Sequence, residues 1–189
     1  MTLRQFVLLT HRWLGLASST ILMVVGFTGG ILLLTDSTFV RRFAGPLHER
    51  LAAGTWGSWL VLGATGAAVL LQFGGAVLWW RRKQVAVRIS RGWGRALDDL
   101  HHSLGAIGLP LMLVLAVTGI LMSFVGPDQP KFRRLLMDFH TAETFAMPIK
   151  LLYLAATWGF AVQGATGILM WWNPWTPVRR RRPVRELTG

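Results

Sequence analysis

The stretch His11–Thr35, HRWLGLASSTILMVVGFTGGILLLT, decides the fold. From Trp13 onward it is uncharged and apolar for more than twenty residues. About twenty such residues cross a hydrocarbon core roughly 30 Å thick as one helix. A histidine stands at its mouth and a Thr-Gly step, Thr28-Gly29, near its far end. Three further runs of the same kind follow, Trp56–Trp80, Leu104–Val125 and Leu151–Trp172. In lipid only helices and closed barrels satisfy their backbone polar groups, so all four runs are read as helices.

The text of the first run returns later in the chain. His101, Leu104 and Gly105 answer His11, Leu14 and Gly15 at an offset of ninety, and Thr118-Gly119 answers Thr28-Gly29. The end of the fourth run, Thr166-Gly167 through Trp171-Trp172, echoes Gly74-Gly75 through Trp79-Trp80 at ninety-two, an offset that also maps His48 onto His140. Span one plus two therefore repeats as span three plus four in the same orientation, which implies an axis along the membrane normal. The expected architecture is an all-α polytopic membrane protein of four transmembrane helices built as two parallel helix-pair repeats. Its single domain covers residues 1–175, with spans at about 13–35, 56–80, 104–125 and 149–172, and a basic tail follows at 176–189.

A net charge of +12 raises nucleic acid as a partner, but its distribution excludes that reading. Thirteen of twenty Lys and Arg lie before span one, between spans two and three, or after span four, among them Arg81-Arg82-Lys83, Arg88, Arg91, Arg95 and Arg179–Arg182. The opposite loops dilute their seven basic residues with five of the eight acids. By the positive-inside rule both termini are expected in the cytoplasm, with the basic segments also meeting anionic lipid. The first run is longer than a signal peptide's apolar region and has no small-residue cleavage site, so it is expected to stay as a span. The absence of cysteine removes disulfides, thiolate catalysis, iron–sulfur clusters and thioether-linked haem. Transport is disfavoured because the spans carry only a few neutral polar residues near mid-membrane.

The histidines carry the chemistry. Four of five fall into two related pairs, His11 with His101 at the inner edge and His48 with His140 at the outer. Imidazoles facing each other across a twofold are the bis-His arrangement that holds haem b without covalent linkage. A single interfacial histidine carries no such implication; the repetition does. His102 points roughly 100° away from His101 and is read as its neighbour, with exchange of the two left open. Gly15 and Gly105 lie one turn deeper on the histidines' face, where a missing side chain leaves room for a flat macrocycle. Arg41, Arg42, Arg50, Arg133 and Arg134 at the outer edge, and Arg12, Arg91 and Arg95 at the inner, suit propionate carboxylates. Asp98, Asp99 and Asp138 stand just before ligand candidates, as helix N-caps or as imidazole partners. The outer loop at 36–55 reads as a loop, and Lys131–Met137 as a short interfacial helix.

At these residues the chain resembles the PepSY-associated transmembrane family. The resemblance rests on His11-Arg12-Trp13-Leu14-Gly15, Asp99-Leu100-His101-His102-Ser103-Leu104-Gly105, Asp138-Phe139-His140-Thr141 and the Thr-Gly-Ile-Leu-Met-Trp-Trp end of span four. It implies a bacterial inner-membrane protein with two b haems, an oxidoreductase of the ferric- or siderophore-reductase kind passing electrons to a periplasmic acceptor. Outer loops of about twenty residues are too short for the periplasmic domains of larger members, so a dedicated siderophore-binding surface is not expected, while the electron-carrying core is. The expected partners are membrane lipid, a cytoplasmic or membrane electron donor and a periplasmic ferric acceptor, with homo-oligomerisation open. No Rossmann fingerprint marks a nucleotide donor site. The rival reading is a haem-free scaffold or assembly subunit.

Overall fold

A computed structural model describes residues 1–80, 85–88, 92–126 and 128–172. The positions 81–83, 91 and 176–189, which carry much of the expected topology charge, lie outside the described residues. Among the described residues six helices form: α1 (Leu3–Leu34), α2 (Thr38–Arg50), α3 (Gly54–Trp80), α4 (Trp93–Phe124), α5 (Pro130–Thr141) and α6 (Met147–Trp172). Of these, α1, α3, α4 and α6 are long and apolar enough to cross a membrane.

Each half of the chain is a long helix, a short one and a long one. The short helices end alike, on left-handed residues at Leu51 (φ 49°) and Ala142 (φ 54°), from which the chain turns into the next span. The amide of Leu51 donates to the Leu47 carbonyl, closing the last turn of α2 in the usual left-handed cap. The segment expected to be a loop at 36–55 is thus mostly helix α2, which runs through Pro46.

The first and third spans begin well before their apolar runs. At α1 a capping box starts the helix: the Gln5 amide donates to Thr2 Oγ1 (3.3 Å) while the Thr2 amide donates to Gln5 Oε1 (2.8 Å). His11 therefore sits inside α1, not at its mouth. Helix α4 starts at Trp93, so Asp98 and Asp99 are interior residues, and so is Asp138 in α5; none of the three is an N-cap. Asp99 instead accepts from the Arg88 side chain (Nε 3.0 Å, Nη2 3.3 Å), tying residues 85–88 to α4 and raising the guanidinium's pKa further.

The long helices pack in a ring: α1 touches α3 and α6, and α4 touches α3 and α6. Helices α1 and α4 face each other across the diagonal. Helix α2 lies on α1 and α3, and α5 on α4. The tightest seam is α1 against α6, where small residues bring the backbones together, as lipid-embedded helices require. A methyl group at Gly26 would lie 2.6 Å from the Thr157 carbonyl, and one at Gly164 would lie 2.9 Å from the Ser19 carbonyl. Polarity is inverted relative to a soluble bundle. Ser18, Ser19, Thr28, Gln72, Ser103, Thr118, Thr157 and Thr166 are buried, whereas Phe27, Leu70, Phe73, Ile107, Val117 and Leu169 face outward.

Candidate functional site

The four paired histidines meet across the α1–α4 diagonal. His11 on α1 and His101 on α4 form the terminal pair, at the bundle end that holds the N-terminus, with ring centroids 6.4 Å apart and planes at 89°. His48 on α2 and His140 on α5 form the distal pair, at 6.2 Å and 58°. The short helices make the distal pair: each folds back over the span before it and lays its histidine on that span's Thr-Gly step.

At His48, Nδ1–H donates to the Val25 carbonyl (2.9 Å) and to Thr28 Oγ1 (3.3 Å). At His140, Nδ1–H donates to Thr118 Oγ1 (2.9 Å). At His101, Nδ1–H donates to Thr166 Oγ1 (2.9 Å). The direction follows from counting protons. A threonine hydroxyl has one, and Thr28, Thr118 and Thr166 each spend it on the carbonyl four residues back, at 2.6, 2.7 and 2.8 Å. Each hydroxyl must therefore accept from the imidazole. That fixes the Nδ1–H tautomer and leaves Nε2 with its lone pair, the state a metal-binding histidine needs. Burial lowers the His48 pKa; it lowers that of His140 to about 4, with His48 adding to the effect. Both rings are neutral at physiological pH.

The glycine of each step makes room for the ring. A methyl group at Gly29 would lie 2.9 Å from His48 Cε1, at Gly119 3.4 Å from His140 Cε1, and at Gly167 3.7 Å from His101 Cε1. Gly74 and Gly75 do the same for His11, at 3.4 Å from Nδ1 and 3.5 Å from Cε1. These are the glycines that meet the imidazoles. Gly15 and Gly105 do not: the first faces Leu71 on α3, and the space at the second is filled by the Gln163 amide, which donates to the His101 carbonyl (2.9 Å).

His102 stands beside the pair, its ring centroid 6.0 Å from that of His101, with its Nδ1–H donating to the Asp98 carbonyl (2.8 Å) and the Asp98 carboxylate at 3.5 Å. Arg41 and Arg133 stand seven residues before His48 and His140, on the same helix face two turns away; Arg42 and Arg134 stand six before. All four are exposed at the distal end. Arg41 pairs with Asp36 (3.1 Å), and Arg133 and Arg134 line a surface groove with Met137, Asp138, Glu143 and Thr144. Arg50 pairs with Glu49 (3.6 Å), while Arg12 and Arg95 are exposed at the terminal end. Among the described residues no three His, Cys, Asp or Glu side chains gather as a metal-binding group.

The family described as the PepSY-associated TM region matches residues 34–130. The chain belongs to the PepSY-associated TM family. The matched stretch runs from the end of α1 to the start of α5, so it holds His48, His101 and His102, one member of each pair and the neighbour. No curated protein and no solved structure matches this member of the PepSY-associated TM family.

Proposed function

We propose that this membrane protein is a dihaem b-type cytochrome, with one bis-histidine haem between His11 and His101 and another between His48 and His140. The observation carrying this reading is the spacing of the rings. A metal–imidazole bond is about 2 Å long and the ring centre lies about 1.2 Å beyond the nitrogen, so imidazoles on opposite sides of one ion would have centres about 6.4 Å apart. The pairs stand at 6.4 and 6.2 Å. Two neutral imidazoles alone are a poor site for a bare ion, which takes four or more ligands. They would suffice to hold haem, which brings four ring nitrogens of its own.

The surrounding residues fit that group. Glycines relieve crowding around each ring, hydrogen bonds at Nδ1 of His48, His101 and His140 present Nε2, and Arg41 and Arg133 offer guanidinium groups to propionates at the distal pair. Haem, when bound, supplies a one-electron carrier. The chain's own part is to hold the imidazoles neutral and aimed, and to wall both sites from lipid and water. Thr28 and Thr118 lie seventeen residues beyond His11 and His101; at about 1.5 Å per residue the two pairs are roughly 25 Å apart along the bundle, one in each leaflet.

The basic residues at the terminal end support a cytoplasmic side there. Electrons then enter near His11 and His101 from a cytoplasmic or membrane donor. They leave near His48 and His140 for a periplasmic acceptor, a ferric ion or ferric chelate, across a bacterial inner membrane. The test is the absorption spectrum and pyridine haemochrome of detergent-purified protein. Two b haems per chain are expected in the wild type and one in His101→Ala. A colourless preparation refutes the reading and leaves a haem-free scaffold. Anaerobic stopped-flow oxidation by ferric chelates, compared with quinones, tests the acceptor.

A further inference from the structure

The two halves of the molecule treat their histidines alike in three cases and differently in the fourth. His48, His101 and His140 each donate from Nδ1 to a threonine hydroxyl. Each also faces the carbonyl three residues before that threonine: Val25, Gln163 and Leu115 respectively. At His11 the repeat puts the same pocket on α3, with Leu71 supplying the carbonyl, but the threonine's position is Gly74. His11 Nδ1 is buried, faces the Leu71 carbonyl without a well-formed hydrogen bond, and has no hydrogen-bond partner among the described residues. A buried ring nitrogen left without a partner is costly, and such groups call for an explanation.

A hydrogen bond donated from Nδ1–H gives a ligating imidazole more anionic character and makes it a stronger donor, which favours ferric over ferrous iron. An imidazole without that bond is the weaker donor. We propose that Gly74 is a tuning position: by withholding a hydroxyl from His11 it sets the haem between His11 and His101 at a higher potential than the repeat's own pattern would give. The inference rests on the dihaem reading above. Gly74 is here a positioning residue that acts through His11.

The site accepts the missing group. A methyl group at Gly74 would lie 3.4 Å from His11 Nδ1 and 3.7 Å from Val7 Cγ1, ordinary contact on both sides. A serine or threonine at 74 can donate to the Leu70 carbonyl, as Thr166 does to Val162 (2.8 Å), and accept from His11.

The experiment is a spectroelectrochemical titration of the purified holoprotein with haem content measured alongside. Gly74→Thr and Gly74→Ser are expected to move one of two redox waves to lower potential and leave the other in place. Thr166→Val, which strips the hydroxyl from His101, is expected to move that same wave upward. Thr118→Val is expected to move only the other wave. Two haems with both waves unmoved in the Gly74 variants overturn the inference. So does movement of the wave that Thr118→Val controls, or loss of haem from Gly74→Ser, since that would mean the pocket has no room for the hydroxyl. Absence of haem from the wild type sinks the dihaem reading instead.

Discussion

Alanine at Gly29 and alanine at Gly119 are the same chemical change at equivalent positions of the repeat, and the structure gives them different outcomes. The new methyl would lie 2.9 Å from His48 Cε1 in the first and 3.4 Å from His140 Cε1 in the second. Carbon atoms rest comfortably at about 3.5–4.0 Å, so the His48 ring must retreat by roughly half an ångström or more and the His140 ring by roughly a tenth. His48 cannot retreat freely, because its Nδ1 is held by Val25 and Thr28 on the helix that carries the new methyl. Loosening those bonds costs about 1 kcal/mol, and disturbing the partner of a metal-binding histidine weakens metal affinity about 10–100-fold. Gly29→Ala is therefore expected to weaken haem binding at the distal pair by about tenfold, and Gly119→Ala by less than about threefold. Haem is titrated into haem-depleted protein and followed in the Soret band, the terminal pair serving as internal reference. Equal effects of the two substitutions, or an effect confined to the terminal pair, would refute the argument.

Four further outcomes are expected. Gly30→Val drives a side chain into the Trp158 indole across the α1–α6 seam and should cost about 1–3 kcal/mol by overpacking. Gly63→Ala, with nothing near it, should leave thermal melting in detergent unchanged. Arg88→Ala releases the contact with Asp99 and should raise hydrogen exchange and protease cleavage at residues 85–88, with the helices unaffected. In the haem-free protein His140 takes up its proton at about pH 4 when folded and near its ordinary value when unfolded. The unfolded chain thus binds more protons between about pH 6.5 and 4, so the docking of α5 is expected to weaken as pH falls through that window. Hydrogen exchange across 130–141 reads it, and His140→Gln should flatten the profile.

The four spans were legible because length without charge has one meaning in a bilayer. The parallel repeat was legible from His11, His101 and the Thr-Gly steps at a near-constant offset. Helix α2 was not, because Gly45-Pro46 reads locally as a turn, while in the fold the helix continues through Pro46 to the left-handed cap at Leu51. The early start of α1 had a visible signal in Thr2 and Gln5, a capping box spelled with glutamine. The starts of α4 and α5 hid the aspartates' roles, since a residue just before a ligand looks like a cap until the helix is seen to begin earlier. Gly15 and Gly105 stood at a sensible spacing, but which side of a span meets which neighbour depends on the ring order of the helices, and spacing along one helix does not contain that. The threonine partners were in plain sight as a repeat. Their meaning needed the backward fold of α2 and α5, which brings His48 over a threonine twenty residues earlier and His140 over one twenty-two earlier.

The spacing of the paired rings is not set by the imidazoles themselves. Helices α1 and α4 meet through His11 and His101, while α3 and α6 each pack against both. The seam between α1 and α6 is closed by Gly26, Gly30 and Gly164, whereas the repeat places Ala116, Ile120 and Gln72 at the corresponding positions between α4 and α3. There the contact is softer: the Gln72 amide donates to the Met112 sulfur (3.3 Å) in the centre of the bundle, between the two histidine pairs. A methionine side chain adapts where a glycine backbone contact cannot. The α1–α6 side is therefore held by close backbone contact, and the α3–α4 side by a side chain that can repack. Filling the glycine seam should disturb both pairs together, because α1 carries His11 and the Thr28 platform of His48. Repacking Gln72 and Met112 should change how readily the diagonal opens while leaving each ring on its own glycine.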